Sequence, residues 1–242
     1  MKIALLGYGK MGHELERVAL LQQHEIVARI DNLDDWKNCL EQIRQADVAI
    51  EFSFPDQAVD NIYRCFELHL PVVVGTTAWY DRLDEVRQRC LKEHQSLFYA
   101  PNFSIGMNIT FMLNKVMARF AEKYGYDITL SETHHAHKLD KPSGTAAKLA
   151  DDIIAANTHY HDWTLSENTP SGTLHIEVKR EGEVNGIHSI MMESAADRIT
   201  LTHEAKNRQG LALGALAAAQ FLIGKTGCFN MENLLYDDRQ PQ

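Results

Sequence analysis

The run KIALLGYGKMG, Lys2–Gly12, decides the fold. Lys2–Leu6 is short and apolar, glycines follow at Gly7, Gly9 and Gly12, and a helical pattern continues through Val18, Leu20 and Leu21. Strand, glycine turn and helix in that order open a dinucleotide-binding unit. Gly7 permits the tight turn, Gly9 lets the backbone approach a pyrophosphate, and Gly12 lets the helix lie close to the strand. A second strand, Glu25–Ile30, ends at Asp31, about 20 residues beyond the glycines, where a carboxylate can bind ribose hydroxyls. Asp31 favours NADH over NADPH, because a 2'-phosphate would face that carboxylate. Arg29 and Lys37 are the cations near enough in sequence to move the preference. The alternative is a glycine turn in an α/β fold without a cofactor.

Further along, ADVAIEFSFP gives a third strand ending at Phe52, Ser53 and Phe54. LPVVVGTT, rich in β-branched residues, reads as a buried parallel strand ending at Gly75, Thr76 and Thr77. SLFYAPNFSIG supplies another, ending at Ala100, Pro101, Asn102 and Phe103. In an open parallel sheet, ligands bind outside the carboxyl ends of the strands. Those ends, with Tyr8, Lys10 and Met11 of the glycine turn, are the candidate cofactor residues. Taken singly each is a loop, and Phe103 has the character of a core residue. The polar stretch between Asp31 and Phe52 is short, which leaves the adenosine side of the pocket the least defined.

Near Phe103–Gly106 the alternation of strand and helix breaks, and a helix over Asn108–Tyr124 begins a different architecture. The expected division is 1–104 with 208–242 as the dinucleotide-binding domain and 105–207 as a second domain. In that domain an alternating apolar segment, Tyr126–Leu130, leads into ETHHAHKLDKPSGTA, Glu132–Ala146, and then into a helix reaching about Ala156. The stretch reads as a strand-to-helix connection with Pro142, Ser143, Gly144 and Thr145 at the helix start. Unpaired backbone N–H groups and the helix dipole make such a start an anion site. Lys138 adds a point charge, and His134 or His135 can deliver a proton. A zinc site from His134, His135 and His137 is disfavoured, since adjacent histidines point apart in an extended segment and no cysteine is near. A solvated, histidine-rich loop is the plainest reading. Beyond it, NTHYHDWTLSENTPSG reads as an exposed loop. LHIEVKR, GIHSIMMES and RITLTHEA alternate with period two and predict an antiparallel meander. An apolar helix, Gly210–Gly224, and CFNMENLL return to the first domain.

A formal charge of -9 over 242 residues disfavours nucleic acid and anionic membranes as partners, so an anionic ligand needs a local basic pocket. Cys39, Cys65, Cys90 and Cys228 are scattered without a C-x-x-C pair, which predicts reduced thiols and a cytoplasmic location. Glycines and Lys10 interrupt the opening apolar run before a signal-peptide core forms. Leu211–Ile223 is too short to span a bilayer.

Glu132, His134, His135, Lys138, Asp140 and Pro142–Ala146 together resemble the active-site motif of the dihydrodipicolinate reductase family, E-x-HH-x-x-K-x-D-x-PSGTA. GTT at Gly75–Thr77, A-x-NFS at Ala100–Ser104, and the R-x-G-x-x-x-G-x-H element with Arg180, Gly182, Gly186 and His188 are similar to it too. The resemblance implies a Rossmann-like parallel-sheet nucleotide-binding domain plus an α+β substrate and oligomerisation domain with a mixed, mostly antiparallel sheet. It implies NADH or NADPH as cofactor, a cyclic dicarboxylate substrate of the diaminopimelate route to lysine, and a homotetramer formed through the second domain's sheet. His134 would be the proton donor and Lys138 its catalytic partner. His135, Lys138, Ser143, Gly144 and Thr145 would hold the substrate carboxylates, and no metal is implied. His188 and Arg208 match family positions, but a histidine on an alternating strand is commonly structural, and neither is placed in the catalytic set. Competing readings are another two-domain dehydrogenase, such as an aspartate-semialdehyde reductase, and a scaffold that senses NAD without catalysis.

Overall fold

A computed structural model describes residues 1–237. The chain begins β1 (Lys2–Leu6), α1 (Lys10–Leu21), β2 (Glu25–Ile30), α2 (Leu33–Asn38), α3 (Leu40–Ile43), β3 (Val48–Glu51) and α4 (Pro55–Glu67). It continues with β4 (Val72–Val74), a 3-10 turn (Tyr80–Arg82), α5 (Leu83–Lys92), β5 (Ser96–Tyr99), α6 (Ile105–Tyr124), β6 (Asp127–His134) and α7 (Gly144–Ala156). Last come β7 (Asp162–Thr164), β8 (Thr173–Arg180), β9 (Ile187–Glu193), β10 (Arg198–Glu204), α8 (Gln209–Leu222), β11 (Gly227–Phe229) and α9 (Met231–Leu235). Two compact units result: unit 1 runs from Met1 to Ile105 and resumes at Arg208, and unit 2 is Gly106–Asn207.

Unit 1 is a six-stranded sheet of order β11-β5-β4-β3-β1-β2 in which every pair is parallel. Its central strands are apolar on both faces, and Val72–Val74 are all fully buried, as helices on both sides of a parallel sheet require. One core layer joins the sheet to α1 and α8 through Leu15, Val18, Ala215 and Leu216. The other joins it to α2, α4 and α5 through Trp36, Ile62, Phe66 and Val86. Strand order reverses between β1 and β3, so the ends of these two strands flank a crevice. Gly7 sits there at φ +89°, and a Cβ on it would come within 2.1 Å of the Phe52 carbonyl oxygen. Only glycine fits that turn.

Helix α8 lies close to the backbone, because a Cβ on Gly214 would stand 1.7 Å from the Phe103 carbonyl oxygen. Gly214→Ala is therefore expected to lower unit 1 stability by about 1–3 kcal/mol or more, the usual cost of overpacking. The check is a denaturant titration followed through the fluorescence of Trp36 and Trp79. An unmoved midpoint would show that α8 shifts freely.

Unit 2 has a five-stranded mixed sheet of order β10-β9-β6-β8-β7. The pairs β10–β9 and β9–β6 are antiparallel; β6–β8 and β8–β7 are parallel. Ile128 and Leu130 of β6 bury against Leu149 and Ile153 of α7 and Phe111 of α6, each such side chain worth about 1.5–3 kcal/mol. Three expectations change here. The strands β8, β9 and β10 do not form a consecutive meander, because β6 inserts between β8 and β9. The polar stretch after α7 is not wholly a loop, since Asp162–Thr164 adds an edge strand to β8. Helix α6 starts at Ile105, directly after a turn in which the Asn102 carbonyl Oδ1 accepts from the Ser104 N–H at 2.9 Å.

Candidate active site

In unit 1 the glycine turn and the ends of β1, β3 and β4 enclose a cleft of about 540 Å³. Gly7, Gly9, Lys10, Met11, Asp31, Phe52, Ser53, Gly75, Thr76 and Thr77 all line it. A Cβ on Gly9 would meet nothing within 4 Å, whereas one on Gly12 would strike the Gly7 carbonyl oxygen at 2.5 Å. The first leaves backbone open to a ligand and the second sets helix against strand, so the residues present fit a dinucleotide. Asp31 Oδ1 accepts from the Tyr8 N–H at 2.9 Å, which orients the carboxylate. The side chains of Ala100 and Phe103 are buried in the core, with the Phe103 ring against Phe52 and Phe98. Neither of them lines the cleft, and neither do Pro101 and Asn102, although Phe103 backs the lining residue Phe52.

Beneath that cleft lies a group the sequence reading passed over. Glu51 is fully buried at the end of β3. It accepts from the Ser53 N–H at 3.1 Å and, over a short contact, from the Ser53 hydroxyl, with Asn61 Nδ2 at 3.5 Å. Thr76 Oγ1 accepts from the same Ser53 N–H at 2.8 Å. Burial pushes the Glu51 carboxyl up, against the pull of hydrogen bonds from Ser53, Thr76 and Asn61. An acidic residue ending an otherwise apolar strand was the available signal.

In unit 2 the strand β6 does not stop at Leu130. Pairing with β8 and β9 carries it to His134, so the period-two alternation places Ile128, Leu130, Glu132 and His134 on one buried face. His135 falls on the opposite face. The register sets Glu132 across from His188 of β9, and His134 across from Arg180 of β8. Four polar side chains thereby converge in an otherwise apolar layer.

Glu132 is 1% exposed, and its two oxygens divide the work. Oε1 accepts from the Ser143 N–H at 3.0 Å and from Arg180 Nη2 at 3.0 Å. Oε2 lies 3.3 Å from His134 Nδ1 and 3.6 Å from His188 Nε2. Ser143 Oγ stands 3.2 Å from His188 Nε2 and also accepts from the Ala146 N–H, capping α7. Arg180 donates onward to the carbonyl oxygens of Asp140 at 2.5 Å and Lys138 at 3.3 Å, which pins the turn. The Lys138 ammonium pairs with Asp140 Oδ1 at 2.8 Å. At the start of α7 the Gly144 and Thr145 N–H groups have no acceptor within the helix. The ring of His134 fits because Gly186 has no side chain, as a Cβ there would reach within 2.9 Å of His134 Nε2.

Burial raises Glu132, but the nearby His188 ring and the hydrogen bonds from Ser143 and Arg180 outweigh it and hold the carboxyl at about 2. Burial lowers His134 to about 4; Glu132 works against this, and repulsion from His188, Lys138 and Arg180 adds to it. The imidazole is thus neutral at neutral pH while the carboxylate beside it is charged.

His188, placed outside the catalytic set on sequence grounds, and Arg180, given no role there, thus belong to this cluster. Arg208 is the exposed N-cap residue of α8 in unit 1. His137 is outside the cluster, exposed and 3.5 Å from Glu183. Among the described residues, the donors that converge within 4.8 Å are those of Glu132, His134 and His188, not the three histidines of the turn. Arg180 and Lys138 put positive charge beside them, an environment for an anion rather than a cation.

Two family models match the chain: dihydrodipicolinate reductase, N-terminus, over residues 1–103, and dihydrodipicolinate reductase, C-terminus, over residues 106–235. A 4-hydroxy-tetrahydrodipicolinate reductase of Christiangramia forsetii is 44% identical over 238 residues, 98% of each chain. One from Neisseria gonorrhoeae is 32% identical over 80% of this chain and 74% of its own. Among solved structures, the dipicolinate-bound dihydrodipicolinate reductase of Paenisporosarcina sp. TG-14 matches with a TM-score of 0.77, covering 95% of this chain and 97% of that one at 23% identity. An amine dehydrogenase from Mycobacterium smegmatis shares the fold at a TM-score of 0.62 and 10% identity, covering 100% of this chain and 98% of that one. With models matching both units and a close relative spanning nearly its full length, the chain belongs to the dihydrodipicolinate reductase family.

Proposed function

We propose that this chain is a 4-hydroxy-tetrahydrodipicolinate reductase: it uses NAD(P)H to reduce the dihydrodipicolinate ring to tetrahydrodipicolinate in the diaminopimelate route to lysine. The observation that carries the reading is the unit 2 cluster, where Lys138, the N-terminus of α7 and a buried acid-base pair meet in one turn of a chain whose family is this reductase family. The bound nicotinamide supplies hydride. The chain's residues do the rest. Gly7–Gly12 and the ends of β3 and β4 hold the dinucleotide, with Asp31 Oδ2 left for ribose hydroxyls. Lys138, His135 and the amides of Gly144 and Thr145 neutralise the two ring carboxylates. His134 gives the proton that completes reduction, and Ser143 keeps α7 aimed at the anion. A coupled assay with aspartate semialdehyde, pyruvate and the upstream synthase tests this. Reduced nicotinamide should disappear only when the chain is present; loss at the rate of a blank lacking the chain would refute it.

The cofactor preferred is NADH. Arg29 is held by both carboxylate oxygens of Glu16 and is thereby drawn away from a 2'-phosphate, while Lys37 is an exposed lysine 3.5 Å from Asp34. Asp31 and Asp60 line the recess where that phosphate would sit, with Arg64 the remaining cation. Asp31→Ala is expected to lower kcat/KM for NADH about 10-fold, the value of a hydrogen bond to a charged group, and to leave NADPH unchanged or improved. Steady-state assays with both cofactors check this; an equal loss with each would contradict it.

A homotetramer assembled through the unit 2 sheet accords with β10 being an exposed edge strand, and light scattering on the purified chain would report it. A cytoplasmic setting accords with four free cysteines. No helix of the described residues is long and apolar enough to cross a membrane.

A further inference from the structure

The cluster poses a question that the proposed reaction leaves open, namely how a buried, neutral imidazole comes to carry the proton it must donate. The groups facing His134 are Glu132 on its own strand, Arg180 on β8, His188 on β9 with His203 paired behind it on β10, and Lys138 with Asp140 in the turn. Glu132 alone among them is both fully buried and negative, with Oε2 3.3 Å from Nδ1. Neither of these two atoms has a hydrogen-bond partner. The carboxylate oxygen and the ring nitrogen are both buried and 3.3 Å apart, so a positive charge gained by the ring would sit directly against the carboxylate.

We propose that Glu132 is the positioning residue that makes His134 an acid only when a dianion occupies the site, so that ligand capture draws a proton from solvent onto the imidazole. The proposal rests on the reductase reading of the same site. Glu132 acts through His134 and through Oε1, which ties the Ser143 amide and Arg180 to the strand. It receives the proton's charge on the Nδ1 side and leaves Nε2 for transfer to the ring. In the empty site the carboxylate is outweighed by burial and by the three cations or imidazoles around the ring. Two ligand carboxylates at Lys138 and the α7 N-terminus cancel that repulsion. Proton uptake and anion binding are then linked, each strengthening the other. No redox change is involved: solvent or buffer gives up the proton, and the N–H bond forms at His134.

The test is calorimetric titration of pyridine-2,6-dicarboxylate into the full chain at neutral pH, in buffers of different ionisation enthalpy. Uptake should approach about one proton per ligand bound, as expected when a single group moves from mostly neutral to mostly protonated. His134→Gln should still bind while losing the uptake. Glu132→Gln should also lose most of it, and its kcat/KM should fall at lower pH than the parent's, because removing the countercharge makes the imidazole harder to protonate. Glu132→Asp, which keeps the charge, should restore part of the uptake. Should Glu132→Gln fail to fold, Glu132→Asp decides, since pulling the charge back from Nδ1 should leave uptake below the parent's, and undiminished uptake there overturns the proposal. Binding without uptake in the parent chain, or undiminished uptake in His134→Gln, overturns this proposal alone. Absence of any binding overturns the reductase reading and the proposal with it.

Discussion

His134→Gln is expected to cut turnover by about 10²- to 10⁴-fold, the usual worth of a positioned general acid, with the dissociation constant for NADH unchanged. The side chain is nearly buried at the end of β6, beside Glu132 and under the backbone of Gly186. Glutamine fills similar space and keeps a polar end but has no proton to give. Since His134 lies at about 4 without a ligand, only the protonated form raised by substrate can act. Activity of the parent should therefore decline as pH rises through the value His134 reaches in the complex. The variant should lose that limb. Rates from the coupled assay across pH, with cofactor binding measured by fluorescence, check both; a variant that turns over like the parent would remove His134 from the role of acid.

Lys138→Ala should weaken substrate affinity and turnover together, lowering kcat/KM by about 10- to 100-fold, as loss of a charge-assisted hydrogen bond does. Arg180 holds the Lys138 carbonyl, and Asp140 Oδ1 holds its ammonium at 2.8 Å. The charge is thus in place before an anion arrives. Without it, Asp140 would stand uncompensated and repel a dicarboxylate. Lys138→Arg should recover part of the affinity, because the charge returns on a broader, differently shaped head. KM measured at low and high salt separates the electrostatic share, which salt screens. An unchanged KM in Lys138→Ala would show that the α7 N-terminus suffices.

Much of this was written locally. Gly7, Gly9 and Gly12 and the apolar run at Val72–Val74 announce a parallel nucleotide-binding sheet, because turn chemistry and two-sided burial are nearest-neighbour properties. The second sheet was less legible. Whether β8 pairs with β9 or with β6 depends on contacts between residues far apart in the chain, and alternation marks a strand without naming its partner. The same limit hid Glu132 and His188. Glu132 reads as the start of a connection and His188 as a polar residue on an alternating strand, until the register sets them opposite each other. His134 was found by its type and its motif, but its low proton affinity comes from burial that only packing reveals. Glu51 escaped for a similar reason: its partners Ser53, Asn61 and Thr76 meet only where two strand ends and a helix converge.

The most direct measurement is a crystal structure of the chain grown with pyridine-2,6-dicarboxylate. One carboxylate should accept from the Gly144 and Thr145 amides, the other should meet the Lys138 ammonium, and the ring should face His134. A dicarboxylate lodged away from the turn between β6 and α7, with that turn empty, would contradict the account.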